Sequence, residues 1–352
     1  MILTEVIGTT YYFADADFIM DWEKTDMDFK DIIIEELEAL RIKADYVGVR
    51  EFSSYSRHQL KIISSLRISR NRLDRLESNI GEKAGFLPQV SKYEDVLIIT
   101  EKNSELNVIK ADTIKDKLSQ SGLELPLPLG NDGKRDIILD LLELPHLLVG
   151  GENGYGKATF LKLAIDSISN TGKAKFILVD NLEYDFNSYD GAEYLECPVI
   201  HDLGTLVEKM EWLLEELERR YALLSNAGVR NIKAYNQQAI DKLPYLVFVM
   251  ADYSGFKGYL LSDLLTDFCS KLCAKAKVAG IHLILASEKV PGNLIGQFLV
   301  NFPAHISFKA VNRIQSRVHF FSNEAVYLYY PGDAYFQKNP EIRPIRVQTY
   351  SI

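Results

Sequence analysis

The chain has 352 residues, 47% of them hydrophobic, 25% charged and 11% aromatic, with a formal net charge of −9. That length exceeds a comfortable single core, so one large and one smaller domain are expected. No apolar run approaches the ~20 residues of a membrane span, and the acidic balance argues against holding nucleic acid over a broad face.

Met1-Ile2-Leu3-Thr4-Glu5 lacks the basic start and apolar core of a signal peptide, so a cytoplasmic chain is expected. Residues 1–122 read as a small α+β domain. Phe29, Ile32, Ile33, Leu37 and Leu40 recur at helical spacing, and a second helix is expected from Arg57 to Leu76. Tyr93 to Ile99 and Leu106 to Ile109 read as strands around a polar turn. Between residues 50 and 75, Arg50, Arg57, Lys61, Arg67, Arg70, Arg72 and Arg75 face only Glu51 and Asp74. The preferred reading of that run is a solvated face rather than a nucleic-acid patch. The turn-rich segment 119–128 marks the boundary.

From 127 to 352 strands and helices alternate, the pattern of an α/β domain with a central parallel sheet. Strands are predicted at 146–150, 176–180, 245–250 and 281–286. A long amphipathic helix is predicted from Leu203 to Ser225, with Leu206, Met210, Leu213, Leu217, Tyr221 and Leu224 on one face. Cys269 and Cys273 sit four apart on a predicted helix without a companion ligand, and with Cys197 they make neither a disulfide framework nor a metal site.

Gly151-Glu152-Asn153-Gly154-Tyr155-Gly156-Lys157-Ala158 matches a phosphate-binding P-loop at every position but the last. Glycines let main-chain N–H groups turn inward around a phosphate, and the lysine brings positive charge to the β/γ end. The final Ser or Thr hydroxyl, which ligates Mg²⁺, is replaced by Ala158. Pro145 to Gly150 reads as a buried strand before the loop. After it, Phe160, Leu161, Ala164, Ile165 and Ile168 read as a helix. Strand, turn and helix N-terminus in this order present a dipole and N–H groups to an anion. A glycine-rich turn without a ligand is the plainer alternative. A dinucleotide-binding fingerprint fails, because its third glycine would fall at Thr159.

Several stretches together resemble the motor region of the FtsK/SpoIIIE family of hexameric DNA translocases, which are HerA/FtsK-type P-loop ATPases. They are Pro145 to Gly151; Glu218-Arg219-Arg220-Tyr221 with Gly228-Val229-Arg230-Asn231 and Tyr235-Asn236; Ala279 to Ser287; Ser316-Arg317; and Gly332-Asp333. The likeness covers about residues 125–350, with the first domain resembling the family's smaller α domain. The resemblance implies a RecA-like fold, ATP or ADP bound by Gly151 to Thr159, Arg317 as a candidate inter-subunit arginine, double-stranded DNA as a candidate partner, and a hexamer-type ring.

The departures fall on the chemistry. Family motors end the 245–250 strand with Asp then Glu, and this chain has Ala251 then Asp252. In the family the Asp holds Mg²⁺ and the Glu orients and deprotonates the attacking water. Asp252 stands one residue late on a strand end, and Thr159 one helical step late, about 100° around the axis. The sensor, Gln before Arg in the family, is Glu288-Lys289, and an Arg expected ahead of Ile306 is His305. No protein-held metal is expected, and Mg²⁺ binding is in doubt. The resemblance therefore implies a subunit that binds nucleotide and hydrolyses it poorly or not at all, acting in assembly on DNA or with an active paralogue. Two alternatives stay open: a working ATP-driven translocase for conjugation or segregation, and a structural or docking subunit of a secretion-type apparatus.

Overall fold

The computed structural model describes residues 27–63, 68–253, 259–288, 301–320, 322–338 and 344–352. Met1 to Glu5 and Arg67 of the basic run lie outside the described residues. The chain divides into two compact units that meet at Ser104 and Glu105.

In the first unit, α1 (Met27–Ala39) and α2 (Arg70–Ala84) cover a four-stranded antiparallel sheet of β1 (Ala44–Glu51), β2 (Tyr55–Ile62), β3 (Gln89–Tyr93) and β4 (Val96–Lys102), ordered β1-β2-β4-β3. Ile33, Leu37, Leu60, Leu76, Ile80, Leu97 and Ile99 form its core. The helix expected from Arg57 to Leu76 does not form as one element. Arg57 to Ile62 lies in β2, paired on both sides, and the helix starts only at Arg70. Two ladders of main-chain hydrogen bonds outweigh the helical spacing of the arginines. The strand expected from Tyr93 to Ile99 is instead a hairpin, turning at Glu94, where φ is 49°. Leu106 to Ile109 is not a strand, and Ile109 accepts a hydrogen bond from Ser351 N. Arg50 and Arg57 face each other across β1 and β2, each over the Phe52 ring.

The second unit begins earlier than the 119–128 turn because α3 (Lys115–Gln120) and its approach pack with it. Ile114 is buried with Leu163 and Tyr350, and Lys110 bridges to Ser351. The unit is built on β5 (Pro126–Asn131), β6 (Asp136–Asp140), β7 (His146–Gly150), α4 (Lys157–Ser169), β8 (Ala174–Val179), α5 (Leu203–Asn226), α6 (Ile232–Gln238), β9 (Tyr245–Met250), α7 (Tyr259–Ala279), β10 (Ile281–Ser287), β11 (Ala304–Ser307), α8 (Arg313–Phe320), β12 (Asp333–Gln337) and β13 (Ile345–Gln348). Its nine-stranded sheet runs β6-β5-β13-β12-β11-β7-β10-β9-β8. The stretch β11-β7-β10-β9-β8 is parallel throughout, and the remaining pairs are antiparallel.

Every residue of β7, β9 and β10 is buried, as strands covered on both faces require. Strand alternation sorts them into two cores. Val149, Val247, Val249, Ala251 and Ala286 pack with Phe160, Leu161 and Ala164 of α4. Leu148, Phe248, Met250, Leu283 and Leu285 pack with α5 and α7 through Leu213, Leu217, Phe268 and Leu272. Cys269 and Cys273 belong to this second core, both free thiols.

The fold is an α/β, RecA-like P-loop domain with a central parallel sheet. Its order matters for the site: β10 lies between β7, which leads into the P-loop, and β9. The carboxyl ends of all three therefore converge beside the loop.

Candidate functional site

Gly150, the last residue of β7, pairs with Ser287 of β10 on one side and Ser307 of β11 on the other. The P-loop thus leaves the sheet where three strand ends are level. Two main-chain bonds then tie it to the residues just past β11: Phe308 N donates to Gly150 O at 2.9 Å, and Glu152 N donates to Lys309 O at 2.7 Å. Gly151 has φ 131°, and a Cβ there would stand 2.7 Å from Phe308 Cβ. Only glycine fits that approach. On the other side, Gly332 N donates to Tyr155 O at 2.9 Å, and the Lys309 ammonium lies 5.1 Å from the Tyr155 ring centroid.

Lys157 opens α4 and is buried. Its Nζ donates to Gly151 O at 2.6 Å and to Asn153 Oδ1 at 3.0 Å. The amide nitrogen of Asn153 donates in turn to Glu288 Oε2 at 2.7 Å. Burial lowers the Lys157 pKa, and the charges of Asp252, Glu288, Asp185 and Glu152 act in the opposite direction. An ammonium is thus bonded within its own loop, with the charges of four carboxylates acting on it.

Ala251 N continues the pairing onto Val179 O at 3.0 Å, and Tyr253 N donates to Ala286 O at 3.0 Å. Asp252 sits between these two ties at the carboxyl end of β9, half-buried. The methyl of Ala251 is buried in the core shared with α4. Ala158 and Thr159 lie half-buried in the first turn of α4.

Mg²⁺ is the metal that such a loop implies. The two side chains that would hold it fall at Ala158 and Ala251, which offer only methyls. Among the described residues no group of three or more His, Cys, Asp or Glu side chains is arranged to hold a metal ion. Ala158 and Ala251 offer no oxygen to a metal, while Asp252 and Thr159 carry oxygens one residue farther along the strand end and the helix.

Asp185 is the carboxylate that sequence reasoning missed. Asp180, just past the end of β8, is buried and accepts from the main-chain N–H of Leu182, Tyr184, Asp185 and Phe186, at 3.3, 2.9, 2.6 and 2.8 Å. That clasp fixes the turn carrying Asp185, whose charge acts on Lys157. Burial, and then the charge of Asp180, raise the Asp185 pKa against the pull of Lys162 and Lys157. The available signal was the acid-rich turn from Asp180 to Asp185, placed directly after a strand.

Other singled-out residues fall outside this cluster. Arg317 lies exposed on α8, and its Nε donates to Asn323 Oδ1 at 2.7 Å. His305 is buried within β11. Lys289 lies outside the described residues. Ser316 is buried, bonded to Ser322 O at 2.6 Å and to Ala325 N at 3.1 Å. Within the long signature helix, Arg220 is buried against Glu216 and Ala279 O. Asn231 caps α6, and Asn236 clamps Leu243 through both main-chain groups, setting the entry to β9.

A glycine-rich loop between a buried strand and a helix, at the carboxyl edge of a parallel sheet with β10 inserted, defines a P-loop nucleoside-triphosphatase domain. The FtsK/SpoIIIE family model matches residues 110–253. Among curated relatives, the DNA translocase FtsK of Borreliella burgdorferi is 32% identical over 252 residues, covering 68% of this chain and 32% of that protein. The FtsK of Clostridium acetobutylicum is 26% identical over 330 residues, covering 90% of this chain and 43% of that one. The chain belongs to the FtsK/SpoIIIE family. It spans less than half the length of these curated relatives. Among solved structures, the pCW3 conjugation coupling protein TcpA, in its monomer form with ATPγS, superposes with a TM-score of 0.62 at 17% identity, covering 92% of this chain and 95% of that one. The cytoplasmic domain of the type VII secretion ATPase EccC of Thermomonospora curvata gives 0.57 at 22% identity, covering 65% and 29%. These likenesses concern the fold. Among the described residues no helix is long and apolar enough to cross a membrane.

Proposed function

We propose that this chain is a nucleotide-binding FtsK/SpoIIIE-type subunit that hydrolyses ATP poorly or not at all. Its role in this reading is assembly in a ring, on double-stranded DNA or with an active paralogue. The observation that carries the proposal is the contrast within one loop and its neighbour strand. The glycine turn and buried Lys157 are intact, while both positions that would hold a metal carry methyl groups. The glycine turn and the ammonium, tied to Gly151 O and Asn153 Oδ1, are the two features of such a loop that hold phosphate without a metal. The curated relatives named DNA translocase support the link to DNA, and TcpA, solved with ATPγS, supports the link to nucleotide.

One observation favours a second reading, a working ATP-driven translocase. Asp252 sits at the carboxyl end of β9, between the Ala251 N–Val179 O and Tyr253 N–Ala286 O bonds, so in this reading it stands in for the family's Glu with one methylene fewer. ATP turnover by the purified chain, with and without double-stranded DNA, separates the two. Turnover at translocase rates supports the motor and overturns the first reading. ATP titration with and without EDTA completes the test. Affinity that survives chelation supports phosphate binding by the loop and Lys157 alone. Affinity that collapses places the metal on another residue, Asp252 or Thr159.

A further inference from the structure

We propose that this site is selective for phosphate number, taking a nucleoside diphosphate in preference to the triphosphate, and that Glu288 sets the preference. The proposal rests on the nucleotide-binding reading above and adds to it which nucleotide is held.

In a P-loop the lysine meets the β/γ end of the nucleotide, while main-chain N–H groups and the helix N-terminus cradle the phosphates before it. Here the ammonium of Lys157 is 3.0 Å from Asn153 Oδ1, and the nitrogen of the same amide is 2.7 Å from Glu288 Oε2. One amide width therefore separates a carboxylate from the cation that would take the terminal phosphate. Strand register delivers that carboxylate. Ser287 ends β10 paired with Gly150, so Glu288 is the next residue out, beside the first residue of the loop.

Glu288 does not act alone. Asp252, Asp185 and Glu152 also place negative charge around Lys157. One ammonium thus answers the charges of four carboxylates before any phosphate arrives, with Glu288 bonded to the amide that it shares. The main-chain cradle carries no net charge and accepts a diphosphate's end in the ordinary way. A γ-phosphate adds one more negative charge at the end where the carboxylates gather, and like charges at this separation repel inside a protein far more than in water. The family's Gln would donate an amide hydrogen to that phosphate, whereas an ionised carboxylate only accepts.

Glu288→Gln is the discriminating variant. A Gln oxygen still accepts from Asn153, so the loop keeps its tie while the charge is removed. Isothermal titration of the full chain with ADP and with a non-hydrolysable ATP analogue, both in EDTA, reads the ratio of the two dissociation constants. The unmodified chain is expected to bind ADP more tightly by on the order of tenfold or more, and Glu288→Gln to shrink that ratio by about tenfold. Equal or tighter binding of the analogue by the unmodified chain, or a ratio unmoved by Glu288→Gln, overturns the proposal and leaves the nucleotide-binding reading standing. Failure of the unmodified chain to bind either nucleotide overturns both.

Discussion

Arg220 in α5 donates from its guanidinium to the main-chain oxygen of Ala279, 2.9 Å away, at the turn that launches β10. The same side chain donates to Glu216 Oε1 at 2.7 Å, and Arg219 closes on the other Glu216 oxygen at 2.6 Å. The signature helix is therefore fastened to the strand whose far end presents Glu288.

Arg220 is only 2% exposed and Arg219 is 55% exposed, so the two arginines of one motif should differ in consequence. Arg220→Met leaves the Ala279 carbonyl without its donor and breaks a buried pair, which costs about 3 kcal/mol. Arg219→Ala removes an exposed partner and should cost under about 1 kcal/mol. Urea unfolding of the two variants checks this, and equal losses would refute the assignment of a structural role to Arg220.

Gly332 is expected to tolerate no side chain. Its φ is 83°, and an added Cβ would stand 2.5 Å from Gln348 Nε2 and 3.1 Å from Thr349 Oγ1. Gly332→Ala therefore costs about 1–2 kcal/mol in backbone strain alone. Because Gly332 N holds Tyr155 O, nucleotide affinity should fall together with stability. Gln348→Ala in the same chain relieves the clash and not the strain, so only part of the loss should return in a thermal melt.

Asp185 provides a pH test with a definite sign. Its pKa is raised on folding, so the stability it contributes is present below the ordinary carboxylate value and is lost as pH rises through the folded value. At neutral pH, Asp185→Asn should therefore melt higher than the unmodified chain. The gain should shrink as pH falls toward the ordinary Asp value of about 3.9. A gain that is constant with pH would mean that packing, not charge, is responsible.

Repair of the degenerate positions should be cooperative. Ala158→Ser, Ala251→Asp and Asp252→Glu act on one transition state, where a single lost contact commonly costs about 10²–10³ in rate. The triple variant should recover more ATP turnover than any single change, because groups acting as a unit are not additive. Ala251→Asp alone should lower the melting temperature, since Ala251 is 6% exposed in an apolar core and a carboxylate there is desolvated. Single variants that each recover as much turnover as the triple would refute the cooperative reading.

Much of this architecture was legible in the chain itself. The buried strands 146–150, 245–250 and 281–286, the helix Leu203–Asn226 and the glycine loop carry their period or their spacing locally, so neighbouring residues suffice to specify them. The losses at Ala158 and Ala251 were also plain, because a methyl cannot ligate whatever surrounds it. Tertiary structure decided the rest. Arg57 joined a strand because β1 and β4 supplied partners on both sides, which no local period announces. Asp185 took its place because Asp180 folded the intervening turn around its own carboxylate. Glu288 met Asn153 across 135 positions of sequence because β10 inserted beside β7 in one particular register. Spacing along a chain sets which side chains share an element, and only the order and register of strands set which carboxylate faces which cation.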